Sequence, residues 1–154
     1  MFISLQSFLF YSLGMQPRVM IFGTFDHLHD GHRFLVTQAM KRGQVTAVVG
    51  RDRNVLTIKG RPPLQTLAKR METLAAEFPT LRVIGGSEQD FLAPLRTEKP
   101  DLLLFGYDQK LPPGISYEDI TCPWERAEAL QPDILKSSLL SQKRREVIEK
   151  KAKK

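Results

Sequence analysis

Cysteine is almost missing from this chain: Cys122 is the only one in 154 residues. A lone thiol excludes an internal disulfide and fits a reducing, cytoplasmic setting. Without a second cysteine or a carboxylate cluster beside the histidines, no side chains complete a tetrahedral metal site. Long apolar runs are missing as well. Met1 to Gly14 is apolar and aromatic, but it is too short to span a bilayer and lacks the basic start of a signal peptide. Met15 comes directly after, so residues 1–14 read as an upstream start or a loosely packed extension, with a membrane-contact or dimer-contact segment as the alternative.

Excess charge is scarce until the end. Of the formal +6, residues 143–154 carry seven Lys or Arg against two Glu, which leaves the body almost neutral. The expected organisation is an extension over 1–14, one domain over 15–142 and a basic tail over 143–154. A single domain of this size buries roughly 70% of its unfolded surface without staples. The tail reads as a solvated helix end, and nucleic acid is not an expected partner.

What the chain does have is concentrated. All three histidines fall between Val19 and Met40, in Gly23-Thr24-Phe25-Asp26-His27-Leu28-His29-Asp30-Gly31-His32. The apolar Val19–Phe22 before it reads as a strand. Leu35, Val36, Ala39 and Met40 after it share one face of a helix, ended by Lys41, Arg42 and a left-handed Gly43 cap. Asp30 is the expected N-cap. Free backbone N–H groups at that helix start would favour an anion. His29 and His32, three apart, can face the same space, and Gly31 would let a phosphate lie against the backbone. Together they suggest a phosphate site with two imidazole donors. His27 reads as a solvent or packing residue.

Further along, Gln44–Gly50 reads as a second strand and Arg51–Pro63 as a polar loop. Leu64 to Phe78 has a helical period, stopped at Pro79. A third strand spans Leu81–Ile84. Ser87 and Asp90 suggest a capped short helix carrying Phe91, Leu92 and Leu95. A fourth strand lies at Asp101–Phe105, then a Pro- and Gly-rich loop runs to Pro123. Glu125–Leu130 can form a short edge strand, and Lys136-Ser137-Ser138 opens a last helix. Short buried strands alternating with helices predict an α/β fold: a Rossmann-like, doubly wound, mainly parallel five-stranded sheet with helices on both faces. In such sheets ligands lie beyond the carboxyl ends of the strands at the switch point. Residues 23–32, 50–61 and 106–109 should therefore converge. Trp124, Tyr107 and Tyr117 read as packing residues, with stacking on a base or flavin as the alternative.

The His29-Asp30-Gly31-His32 motif after Gly23-Thr24-Phe25-Asp26 resembles the HxGH signature of the cytidylyltransferase-like nucleotidyltransferases. The blocks Gly50–Val55, Ile58–Pro63, Lys99–Asp101 with Gly106–Gln109, and Lys136–Ser138 resemble those of archaeal-type FAD synthases and their relatives. Glycerol-3-phosphate cytidylyltransferases share the first motif but are less similar later. The resemblance implies transfer of AMP or CMP from ATP or CTP to a phosphate-bearing acceptor, FMN in the leading case, with pyrophosphate release and a Mg²⁺ requirement. It assigns nucleotide contacts to Gly23, Thr24, Phe25, Asp26, Gly31, Arg61, Gly106, Asp108, Ser137 and Ser138, and a homodimer is common among similar proteins. Members usually carry a full helix between the fourth and fifth strands, for which 110–124 is too short and Pro-rich.

An acceptor phosphate is already an anion, so the chemistry needs in-line positioning and charge stabilisation more than a base. His29 and His32 would donate to phosphate oxygens, Lys59 and Lys136 would add charge, and Thr24, Ser137 and Ser138 would supply hydroxyls. Asp26 or Asp108 would meet the magnesium shell or the ribose. A noncatalytic nucleotide or nucleic-acid binding module is the rival expectation.

Overall fold

The computed structural model describes residues 5–130, 147–148 and 150–152. The expected phosphate contacts at Lys136, Ser137 and Ser138, and the helix they were to open, lie outside the described residues.

Five strands form one parallel sheet in the order β3-β2-β1-β4-β5: β1 Arg18–Gly23, β2 Gln44–Val49, β3 Arg82–Gly85, β4 Leu102–Phe105 and β5 Trp124–Arg126. Around the sheet lie helices α1 Leu5–Ser12, α2 Asp30–Arg42, α3 Asp52–Lys59, α4 Leu67–Glu77 and α5 Ala93–Glu98, and a 3-10 turn at Tyr117–Asp119. Between β4 and β5 that turn is the only helical element among the described residues. Among the described residues no helix is long and apolar enough to cross a membrane.

The central strands are apolar on both faces because both faces are covered. Val19 and Ile21 of β1 point into a core shared with Val36 and Ala39 of α2 and Leu74 of α4. Met20 and Phe22 point the other way, into a core with Leu95 of α5, Leu103 and Phe105. The alternation of strand side chains thus builds two cores from one strand.

The winding reverses beside β1. The chain runs from β1 outward through β2 to β3, then crosses back to place β4 on the other side of β1. β1 stays paired with β2 as far as Gly23↔Val49, but its pairing with β4 ends at Ile21↔Leu104. Beyond that point Gln109 bridges the two parting strands: its side-chain amide donates to the Phe22 carbonyl at 3.2 Å and accepts from the Gly106 N–H at 3.0 Å. The crevice that opens there is where an open α/β sheet binds its ligands.

Several expectations are corrected. The segment 51–63 is not all loop, since Asp52–Lys59 is a helix. Val55 is buried while Leu56 and Ile58 stay exposed, and the helix is only eight residues long. Helix α4 starts at Leu67, capped by the Thr66 hydroxyl, and Leu64 is 84% exposed. Met40 is 41% exposed, and its place on the buried side of α2 goes to Gln38. Gly43 is extended, with φ 161, and not left-handed. It is glycine because a Cβ would lie 2.0 Å from the Pro17 carbonyl oxygen. The Ser87 hydroxyl accepts from Gln89 and Asp90 N–H in a turn, and the next helix begins only at Ala93.

Candidate active site

The motif is held by its own histidines. His29, and not Asp30, caps α2: its Nδ1 accepts from the Gly31 N–H at 3.1 Å and the His32 N–H at 3.4 Å. His32 returns the contact, its Nδ1 accepting from the His29 N–H at 3.4 Å. The two imidazoles stack with centroids 3.7 Å apart. Each Nδ1 is an acceptor, so the pattern places the ring proton on Nε2 in both. The expectation of free N–H groups at Gly31 and His32 is therefore corrected, because His29 already takes both. A Cβ at Gly31 would come within 2.9 Å of the His29 ring, so the stacked pair itself calls for glycine there.

Beneath the pair lies Phe25, fully buried, its ring 5.4 Å from that of His32. Its φ of 51 is left-handed, a conformation that costs a bulky residue free energy and is tolerated where the surroundings dictate it. Burial pushes the His32 pKa down to about 3, helped by charge at His29, Lys59 and Arg33. His32 is thus neutral at physiological pH and acts as a hydrogen-bond donor, not a cation.

The three segments converge. A cavity of about 590 Å³ is lined by Gly23, Thr24, Phe25, His29, Gly31 and His32 from the β1–α2 connection, by Asn54, Val55, Ile58 and Lys59 of α3, and by Gly106, Asp108 and Gln109 after β4. Gly86, Ser87 and Phe91 after β3 and Ala127, Glu128 and Leu130 after β5 complete it. Tyr107 is also on the wall. Trp124 and Tyr117 are not; they stack on each other at 4.8 Å on the outer edge of the sheet. Arg61 and His27 are exposed and line no part of the cavity.

Asp26 is not among the residues that line the cavity. Its two carboxylate oxygens accept from the backbone N–H of Leu64 at 2.7 Å and of Gln65 at 2.9 Å, fixing the approach to α4. Partial burial raises its pKa, but those two hydrogen bonds and the charges of His27 and Arg70 outweigh this and hold it below the ordinary 3.8. The carboxylates on the cavity wall are Asp108 and Glu128 among the described residues. No group of three or more His, Cys, Asp or Glu able to hold a metal occurs among the described residues.

Three positioning residues carry no motif in the sequence. Arg70 is 0% exposed, and its guanidinium donates to Gln65 O at 3.0 Å, Thr24 O at 2.7 Å and Asp52 Oδ1 at 2.5 Å. It ties the β1 loop to the start of α3, and although Asp52 is half-exposed, loss of Arg70 would leave the Thr24 and Gln65 carbonyls without their partner. A signal was available: Arg70 falls between Leu67 and Leu74 on the apolar side of α4. Arg126 donates to the carbonyls of Gly106 at 3.0 Å and Gln109 at 2.9 Å, and so holds the β4 loop. Gln38 pairs with both backbone groups of Glu128, donating at 3.1 Å and accepting at 2.9 Å, which pins the segment after β5 to α2.

A family model described as cytidylyltransferase-like matches residues 20–148. The chain belongs to the cytidylyltransferase-like family. Among curated relatives of this family member, an FAD synthase of Methanosarcina mazei is 38% identical over 105 residues, covering 68% of each chain. An FAD synthase of Natronomonas pharaonis is 35% identical over 122 residues, covering 75% of this chain and 86% of the relative. Among solved structures, the lipopolysaccharide core biosynthesis protein of Thermoplasma volcanium GSS1 superposes with a TM-score of 0.65 at 30% identity, covering 75% of this cytidylyltransferase-like chain and 98% of that one.

Proposed function

We propose that the protein is an FMN adenylyltransferase, making FAD and pyrophosphate from ATP and FMN. The observation that carries the reading is the stacked His29–His32 pair, with its Nδ1 atoms engaged internally, set in a cavity wide enough for two substrates at the switch point. The FAD synthase relatives support FMN as the acceptor.

An oxygen of the FMN phosphate attacks the α-phosphorus of ATP, the bond from that phosphorus to the bridging oxygen of the β-phosphate breaks, and pyrophosphate leaves with the electron pair. The Nε2–H groups of His29 and His32 donate to oxygens on which charge grows, and Lys59 adds a point charge from α3. His32 stays neutral, so it stabilises without having to lose a proton. Thr24 supplies a hydroxyl at the β1 end. Asp108, exposed on the cavity wall, would meet the water shell of a triphosphate-bound magnesium, which would neutralise phosphate charge, or the ribose hydroxyls. Lys136, Ser137 and Ser138 are proposed to add the second phosphate contact.

The experiment is a panel read by pyrophosphate release. With Mg²⁺ present, ATP with FMN should give product, while CTP with glycerol 3-phosphate and ATP with phosphopantetheine should not. Product from the CTP arm instead would make the chain a glycerol-3-phosphate-type cytidylyltransferase. Silence in every arm would favour a noncatalytic binding module.

A further inference from the structure

The cavity wall changes character across the His29–His32 pair. On the β4–β5 side Asp108, Gln109, Lys110 and Glu128 stand among Tyr107, Pro112, Ala127 and Leu130. On the β2–β3 side it offers Phe22, Val48, Val55, Ile58 and Phe91, with Asn54, Lys59 and Ser87 the polar exceptions. Two of these are joined, since the Asn54 amide donates to the Ser87 carbonyl at 2.7 Å and so ties α3 to the loop after β3. Between those elements Phe91 lies against Phe22, with ring centroids 4.6 Å apart and planes 27° from parallel. Phe22 is buried beneath it, whereas Phe91 is only half-buried and faces the cavity.

We infer that Phe91 is the shelf on which the flavin ring of the acceptor stacks, which makes it a specificity-determining residue for the tricyclic substrate. The inference rests on the FMN adenylyltransferase reading and adds a residue to it. A flavin ring is a broad, flat apolar surface with amide-like groups along one edge. It matches a wall of aromatic and branched aliphatic side chains with Asn54 and Ser87 at the rim. The smaller, more polar ribose and adenine match the β4–β5 side. The phosphate pair lies between, as a displacement at the α-phosphorus requires.

A core-filling role for Phe91 needs only apolar volume, and a shelf needs a ring. Phe91→Leu keeps the packing against Phe22 while removing the ring, so it separates the two even if Phe91→Ala fails to fold. FMN binding by the full-length protein is read from flavin fluorescence, and KM for ATP and for FMN from steady-state FAD formation. Phe91→Leu should weaken FMN binding and raise KM for FMN about tenfold or more, the scale of losing one aromatic stacking partner, with KM for ATP within about twofold of wild type. Phe91→Trp should bind FMN nearly as the wild type does. A folded Phe91→Leu protein with wild-type FMN affinity, or one whose loss falls on ATP, overturns the shelf while leaving the FMN reading intact. A wild-type protein that neither binds FMN nor forms FAD overturns both.

Discussion

The β2–β3 half of the cavity is walled mostly by apolar side chains, with Asn54, Lys59 and Ser87 among them, whereas the β4–β5 half mixes Asp108, Gln109, Lys110 and Glu128 with Tyr107, Pro112, Ala127 and Leu130. Both halves hang from the same parallel sheet, so the difference is not one of fold. It arises in the connection that leaves each strand. After β2 comes a helix that turns Val55 and Ile58 toward the cavity. After β4 comes a tight loop held by Arg126 and Gln109. One scaffold thus carries two kinds of binding surface on either side of a shared phosphate site, and substitutions on one side should spare the other.

The largest effect is expected on the dividing line itself. His32→Ala should lower turnover by roughly 10²-fold or more, the scale of removing one preorganised donor from a developing charge. It should change the affinities for both substrates far less, because the contact strengthens on the way to the transition state. Steady-state kcat with separate binding titrations checks this. A smaller, one-sided effect is expected at Asp108. Asp108→Ala should raise KM for ATP by about tenfold, the order of one hydrogen bond to a charged group, and leave KM for FMN unchanged. Equal changes in both would erase the division.

A third effect is read on the fold and not on turnover, and concerns acid stability. The folded pKa of His32 lies near 3 and its ordinary value is 6.5. Between these values the unfolded chain binds a proton that the folded site refuses, so His32 makes stability fall as pH drops from 6.5 toward 3. His32→Asn should flatten that part of a denaturation-versus-pH curve. An unchanged slope would show that the ring is not kept neutral by its surroundings.

How much of this was legible in the sequence varied with the kind of information involved. Strand pattern and motif spacing are local properties, so β1, β2, β4 and the placing of His29 and His32 could be read directly. The cap could not: Asp30 is the usual residue type for it, and only the ring geometry shows His29 taking the position. Asp26, Arg70 and Gln109 were opaque for a different reason. Each grips backbone that is distant along the chain, as in Asp26 to Leu64, Arg70 to Thr24 and Gln109 to Phe22, and no sequence pattern encodes such a contact. Helix α3 was missed because it buries so little. Phe91 was visible only as one apolar residue in an expected short helix, and its stacking on Phe22 depends on the sheet's pleat and the loop after β3.

The most direct measurement traces the phosphorus. Wild-type protein is incubated with Mg²⁺, FMN and ATP labelled at the α-phosphorus, and the products are separated. The label should appear in FAD, with one unlabelled pyrophosphate released for each FAD formed, and should remain in ATP when His32→Ala replaces the wild type. Label that stays in ATP with the wild-type protein, or that reaches FAD equally well without the His32 imidazole, would contradict the account.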